Sequence, residues 1–215
     1  MQEKQKKWIL RIALYLIGIM VLALGITLNT KTNLGVSPII SMPYAVAQIF
    51  GYETGTAVFV AYLIFIVLQI VLLKGKFPPF QFLQVAASYL TSAFITIFDR
   101  IIPTPDQMGM RLLVLALAII LTGIGAAVTV DVNIIPNPAD GLARVLGERC
   151  GKNIGFGKNL FDFSAIVISL AIGFVGTGRP VGIGIGTVIA MVCTGRVIAA
   201  FNHFTKKKIE EITIA

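Results

Sequence analysis

Asn29-Thr-Lys-Thr-Asn-Leu-Gly-Val-Ser-Pro38 decides the fold, because a second copy of its pattern follows later in the chain. The copy lies in Asp131-Val-Asn-Ile-Ile-Pro-Asn-Pro-Ala-Asp140-Gly141, where Asn133 and Pro138 match Asn33 and Pro38 at a constant offset of 100 residues. Each stretch is a polar, proline-containing break between a long apolar segment and a short helix-like one. Repeats interrupted in matching positions are typical of transporter folds. Glycines also coincide at this offset: Gly25 and Gly125, Gly51 and Gly151, Gly55 and Gly155.

The composition places the chain in a lipid bilayer. It has 215 residues, of which 56% are hydrophobic and 13% charged, whereas about a quarter of the residues in soluble domains are charged. The net charge of +8 does not indicate nucleic acid, because the basic residues gather at predicted cytoplasmic ends. The first apolar stretch has no small-residue cleavage site, so we expect a retained membrane anchor.

Six stretches are long enough to cross about 30 Å of hydrocarbon. They cover about 9–29, 55–73, 80–99, 110–130, 156–175 and 181–202. Residues 36–50 and 137–149 are too short or too polar for ordinary spans, and we interpret them as half-helices. The predicted fold is an all-α integral membrane protein with six transmembrane helices and two half-helices. It forms one membrane domain, 1–215, with repeats at about 9–100 and 109–203.

The distribution of basic residues predicts that both termini are cytoplasmic. Only Lys31, Arg100, Arg111 and Arg179 then fall outside, and the other 14 of the 18 Lys and Arg residues fall inside, as the positive-inside rule requires. An eight-span model gives nearly the same total. Matching loops of the two repeats carry unequal positive charge, which favours inverted halves over that alternative.

The two breaks supply the predicted binding site. Ser37 and Asn137 are favoured N-caps, and Pro38 and Pro138 suit the first helical turn. If the halves are inverted, the two helix N-termini enter from opposite sides and present positive dipole ends to an anionic or polar ligand. Capping alone is the equally weighted alternative. The candidate ligand-binding residues are Asn33, Ser37, Pro38, Tyr44, Asn133, Asn137, Pro138 and Asp140.

Ionisable residues are concentrated in the second half, where they form the predicted coupling group. Asp140 and Arg144 have the i, i+4 spacing of a helical ion pair. Asp162 is either a proton or cation relay or a structural partner of Arg196. The spacing leaves both alternatives open.

Two further patterns have competing interpretations. Gln81, Gln84 and Ser88 share one face of the third span, which suits either a pathway or, slightly better, interhelical hydrogen bonds. Gly182 and Gly186 form a GxxxG spacing that we interpret as a helix-packing face and not as a phosphate loop.

The chain lacks the residues of an enzyme or metal centre. Its only cysteines are Cys150 and Cys193, and His203 is its only histidine. Neither a disulfide framework, a zinc site nor a Ser-His-Asp triad is therefore predicted. We expect no cofactor and no catalytic activity.

Two stretches resemble the signatures of the YczE-like branch of the YczE/YyaS/YitT family of bacterial integral membrane proteins. The first signature resembles Asn33-Leu-Gly-Val-Ser-Pro38 with Ser41-Met-Pro-Tyr44, and the second resembles Pro138-Ala-Asp140-Gly141-Leu142. The resemblance covers essentially the whole chain. It implies a bacterial plasma-membrane protein and gives no substrate or reaction.

Three functions remain open at this point. The leading interpretation is a small permease for a polar or anionic metabolite, bound between the half-helix N-termini. A scaffold could instead recruit cytoplasmic enzymes through the basic residues Arg149, Lys152, Lys158 and Lys206 to Lys208. A channel is the third. The sequence leaves the substrate, the coupling ion and any homo-oligomer undetermined.

Overall fold

The structure, a computed structural model, describes residues 2–213 and is helical throughout their regular secondary structure. This confirms the all-α prediction. The helices are α1 (Gln2–Lys31), α2 (Pro38–Phe50), α3 (Thr54–Leu73), α4 (Gln84–Ile101), α5 (Met108–Asp131), α6 (Pro138–Arg149), α7 (Ile154–Thr177) and α8 (Ile185–Thr213), with a short 3-10 turn (Pro79–Leu83) leading into α4.

Six of the described helices are long and apolar enough to cross a membrane: α1, α3, α4 with its 3-10 turn, α5, α7 and α8. The other two, α2 and α6, have 13 and 12 residues. At 1.5 Å per residue they measure about 20 and 18 Å, which is short of a hydrocarbon core about 30 Å thick. The prediction of six spans and two half-helices is confirmed.

The first long helix of each half packs against the other in an antiparallel arrangement. A Cβ placed on Gly25 would clash with the backbone of Thr122, and one placed on Gly125 would clash with the backbone of Leu22. Along this contact the residue numbers on α5 fall as those on α1 rise, so the two helices run in opposite directions. If all eight helices crossed the membrane, α1 and α5 would run in the same direction. These contacts therefore favour six spans.

The two breaks have matching backbone conformations. Asn33 and Asn133 are left-handed, with φ of 55° and 50°, a conformation that asparagine tolerates better than most residues. An extended residue and a proline then start each half-helix, as predicted.

The two N-caps differ in their hydrogen bonds. The Asn137 side chain accepts from the N–H of Ala139 at 3.0 Å. The Ser37 side chain makes no capping bond. Its backbone N–H instead donates to Asn29 Oδ1 at 2.7 Å, so α1 holds the start of α2.

Each half-helix packs on a long helix of the opposite half, α2 on α7 and α6 on α3. Ser41 Oγ donates to the carbonyl of Ala165, near the middle of α7, at 3.3 Å. Asn137 Nδ2 donates to Tyr62 Oη, near the middle of α3, at 3.4 Å. Both half-helices therefore begin about halfway along the bundle.

The glycine-rich segment after α7 packs against the first break. The last helix begins at Ile185 and Gly182 has φ of 76°, so the predicted helical face of Gly182 and Gly186, and a span starting at residue 181, are wrong. The N–H of Val36 donates to the carbonyl of Gly182 at 2.8 Å, and that of Gly186 donates to the carbonyl of Leu34 at 2.7 Å. A Cβ on Gly182 would meet the Tyr44 side chain, and one on Gly186, in the first turn of α8, would meet the carbonyl oxygens of Leu34 and Gly35. The packing role therefore holds against the first break instead of within one helical face.

The polar face of α4 forms an internal network. Gln69 and Gln84 exchange two side-chain hydrogen bonds, at 3.1 and 3.3 Å, and Gln81 accepts a long one from Gln84 at 3.5 Å. Ser88 Oγ donates to the carbonyl of Gln84 at 2.6 Å. The Gln69–Gln84 bonds join α3 to α4 and correspond to the interhelical alternative, whereas the bonds of Gln81 and Ser88 to Gln84 stay within one span.

Candidate functional site

A cavity of about 210 Å³ lies where the two half-helices begin. We call it the central cavity. Its lining includes Ser37 and Asn137, the caps of α2 and α6, together with residues of α1, α3, α5, α7 and α8. The cavity therefore brings the two predicted N-termini to one space, although they are 100 residues apart in the chain.

Asn137 is held rigidly at the wall of this cavity. Its Oδ1 caps α6 while its Nδ2 donates to the hydroxyl of Tyr62, which is 1% exposed. Both polar ends of the amide are thus engaged by protein. The side chain has a fixed orientation, and any ligand contact to it is made at a defined position.

Three charged side chains line the central cavity: Asp140, Arg144 and Lys158. Lys158 Nζ lies 3.6 Å from Asp140 Oδ1. No ion pair joins Arg144 to an acidic residue in the described part of the chain. The predicted Asp140–Arg144 pair is therefore wrong, because the close crossing of α6 and α7 brings Lys158 to Asp140 instead.

The close crossing of α6 and α7 depends on glycine. A Cβ on Gly157 would clash with the carbonyl oxygen of Ala143, and would stand 2.6 Å from the backbone nitrogen of Gly147. Since only hydrogen occupies this position, the first turn of α7 lies directly on α6. Lys158 follows at once and so reaches the cavity wall.

Asp162 and Arg196 are not brought together. Asp162 is 7% exposed, and its Oδ1 has no hydrogen-bond partner among the described atoms. Arg196 is exposed on α8 and lines neither large cavity. The predicted Asp162–Arg196 pair is wrong, because α8 packs mainly on α5 and not along α7. The relay role of Asp162 stays a prediction.

A second cavity of about 850 Å³, which we call the vestibule, lies at the other end of the bundle. Asn33 and Tyr44 line it, with Gln48 and Arg179. Val36 lines the vestibule, whereas the next residue, Ser37, lines the central cavity. The start of α2 therefore forms a thin wall between two spaces at opposite ends.

The predicted ligand-binding residues divide by location. The central cavity gathers Ser37, Asn133, Asn137, Asp140 and Arg144. Asn33 and Tyr44 belong to the vestibule, and Pro38 and Pro138 are buried. The first break is divided between the two spaces, with Asn33 at the vestibule and Ser37 at the central cavity, whereas Asn133 and Asn137 of the second break both face the central cavity.

Sequence reasoning missed two residues at this site, Tyr62 and Lys158. Lys158 was assigned to the cytoplasmic surface, yet it is only partly exposed beside Asp140. Its position within the first turn of a span was a usable signal, because charges at membrane depth usually face a cavity or a partner. Tyr62 carried no signal of this kind, since an aromatic residue within a span is ordinarily core.

Comparison with protein families matches residues 9–203 to DUF6198, a family of unknown function. The uncharacterized membrane protein YczE of Bacillus subtilis (strain 168) is 26% identical over 196 residues, which cover 90% of this chain and 86% of YczE. The uncharacterized protein YyaS of the same strain is 24% identical over 201 residues, covering 90% and 95%. No solved structure matches. These relatives confirm the resemblance to the YczE-like family.

Proposed function

Because the chain belongs to DUF6198, a family of unknown function, we propose its role from the central cavity: it is a small permease for an anionic or polar metabolite. The observation that carries this proposal is the opening of both half-helix N-termini into one cavity. The helix dipole favours negative charge at such ends, although at α6 the Ala139 N–H is already capped by Asn137 and Asp140 already lies in the first turn. A single half-helix would place only one positive helix end at the cavity.

The net charge of the cavity wall supports an anion. Lys158 and Asp140 offset each other at 3.6 Å, which among the cavity-lining residues leaves the exposed side chain of Arg144 as the remaining formal charge. A cationic ligand would meet both this charge and the positive helix ends. We therefore expect anions to bind more tightly than cations of the same size.

Many transporters that work by alternating access are built from two related halves, and we propose that repeats at about 9–100 and 109–203 are inverted copies. The antiparallel contacts of Gly25 with Thr122 and of Gly125 with Leu22 support this. The central cavity and the vestibule lie at opposite ends, separated by the start of α2. Rocking of one half against the other would open the site to each side in turn.

The orientation proposed is that of a bacterial plasma-membrane protein with both termini cytoplasmic. The positive-inside bias supports it. The central cavity then faces the cytoplasm and the vestibule faces outward.

The test is the thermal stability of the purified protein against a library of anionic and polar metabolites. A ligand at a hundredfold its dissociation constant stabilises a protein by about 2.7 kcal/mol. We expect an anionic hit that Asn137→Ala abolishes, since that change removes a fixed polar group from the wall.

Asn153→Ala is the matched control. Asn153 caps α7 by accepting from the N–H of Phe156 at 2.9 Å and does not line the central cavity. Both variants should lose about 1 kcal/mol of stability as cap losses, but only Asn137→Ala should lose the ligand effect. Equal ligand response in both variants, or a library without hits, would contradict the proposed site and favour the scaffold alternative.

A further inference from the structure

The wall of the central cavity is mostly apolar, which restricts the ligand beyond its charge. Its apolar lining residues include Leu22, Ile26, Ile40, Ala126 and Ile135. A small ion such as phosphate would leave this surface in contact with trapped water. A ligand with a hydrocarbon portion would cover it, and that burial favours binding.

The polar groups provide for one negative charge only. Arg144, an exposed side chain, is the single cavity-lining charge without an ion-pair partner in the described chain, whereas the N-terminus of α6 is already capped by Asn137 and carries Asp140 in its first turn. A dianion or trianion would need a second cation at the cavity wall. Lys158 could provide it only by giving up its ion pair with Asp140. The wall therefore suits a monoanion.

On the basis of the proposed permease function, we infer that the ligand is an amphipathic monoanion, a monocarboxylate with a short unbranched or branched apolar tail. Its carboxylate lies beside the Arg144 guanidinium, and its tail lies against the wall around Leu22 and Ile26.

The size of the cavity limits the length of the tail. A water molecule occupies about 30 Å³ of liquid, so 210 Å³ accommodates about seven groups of that size. Drug-sized ligands fill about 300–1,000 Å³. A carboxylate with about four to six carbons beyond it fills the space, whereas the chain of a membrane fatty acid exceeds it.

An open side of the bundle offers such a ligand an apolar route. In the first half, α3 lies on α4, and Ser92 Oγ donates to the carbonyl of Gly55 at 2.7 Å. In the second half, a Cβ on Gly155 would meet only the side chain of Asn153, and one on Gly195 would meet nothing within 4 Å. The helices α3 and α4 pack on each other, whereas α7 and α8 do not pack closely and so leave a gap between them. Both α7 and α8 line the central cavity.

The experiment measures the dissociation constants of straight-chain monocarboxylates from acetate to octanoate, from the concentration dependence of thermal unfolding. We expect affinity to rise about threefold to fourfold per methylene and to level off near heptanoate, when the cavity is full. The primary alcohols of the same lengths should bind at least tenfold more weakly. Palmitate should gain nothing over heptanoate.

Two variants assign the binding to this cavity. Arg144→Gln should remove the preference for carboxylates over alcohols while keeping the dependence on chain length. Ala126→Phe fills the apolar wall and should remove the dependence on chain length. Ala171→Phe, on an exposed position of α7 outside the cavity lining, should change neither and controls for partition into detergent.

The outcomes separate this inference from the function on which it rests. Library hits among compact anions, with no gain along the carboxylate series, would overturn the amphipathic ligand and leave the permease. Best binding by palmitate would overturn the short tail and assign the gap to membrane lipids. An affinity that still rises with chain length in both cavity variants would show partition into detergent only and overturn the inference.

Discussion

Arg11 shows how a single residue stabilises an irregular segment at the end of a membrane span. Its Nε donates to the carbonyl of Val132 at 2.9 Å, and its Nη2 donates to the carbonyl of Asn133 at 2.7 Å. These carbonyls follow the last turn of α5, where helical partners end and a cation is favoured. The second break is therefore held by a side chain from α1.

Replacing this side chain should weaken the fold at the break. We expect Arg11→Gln to lower the free energy of unfolding by about 1–2 kcal/mol, because hydrogen bonds from charged donors contribute about 1.5–3 kcal/mol and this residue is partly exposed. Denaturant unfolding in detergent measures the change. Arg111→Gln is the control, since Arg111 lies 100 residues further along the chain but donates to the carbonyl of Pro105 instead. A loss as large in Arg111→Gln would contradict a specific role for the break.

At the scale of elements, the crossing of α6 and α7 determines which charges meet in the cavity. Gly157 and Gly147 allow the two helices to approach until backbone meets backbone. The approach places Lys158 beside Asp140, which is a different pairing from the i, i+4 contact that α6 could make alone. Helix packing therefore selects the charge pair.

A methyl group at the crossing should separate the helices. Gly157→Ala is expected to lower stability by about 2–3 kcal/mol, as overpacking does in closely packed cores. Gly195→Ala adds the same methyl where nothing lies within 4 Å and should change stability by less than about 0.5 kcal/mol. Thermal unfolding of both variants compares them directly. Similar midpoints would show that the α6–α7 contact is looser than described.

The local parts of the fold were predictable from the sequence, and the long-range contacts were not. The prolines at residues 38 and 138 fix the starts of both half-helices, because proline favours the first helical turn wherever it occurs. The pairing of Asp140 and the location of Gly182 depend on which distant backbone lies opposite. Sequence spacing along one helix carries no information about that choice.

At the scale of the whole molecule, matching contacts coexist with one clear asymmetry. Ser41 with Ser169 and Gly141 with Gln69 are contacts at corresponding positions of the two halves. The gap between α7 and α8 has no counterpart between α3 and α4. We interpret the matching contacts as the framework for alternating access and the gap as a route to the central cavity.

The central claim is that the site between the half-helices is reached from both sides of the membrane. Ser37→Cys, in a chain with Cys150 and Cys193 replaced by serine, places one thiol at the wall between the central cavity and the vestibule. A membrane-impermeant thiol reagent is added to either side of oriented proteoliposomes. Two thiols serve as controls: Gln107→Cys, in the exposed loop between the halves, and the native Cys150. Each should react from one side only, and the two should react from opposite sides.

We expect the thiol at position 37 to react from both sides, because alternating access exposes it to each in turn, and a bound ligand to slow both reactions. Reaction from one side alone, with or without ligand, would contradict transport and indicate a static membrane protein.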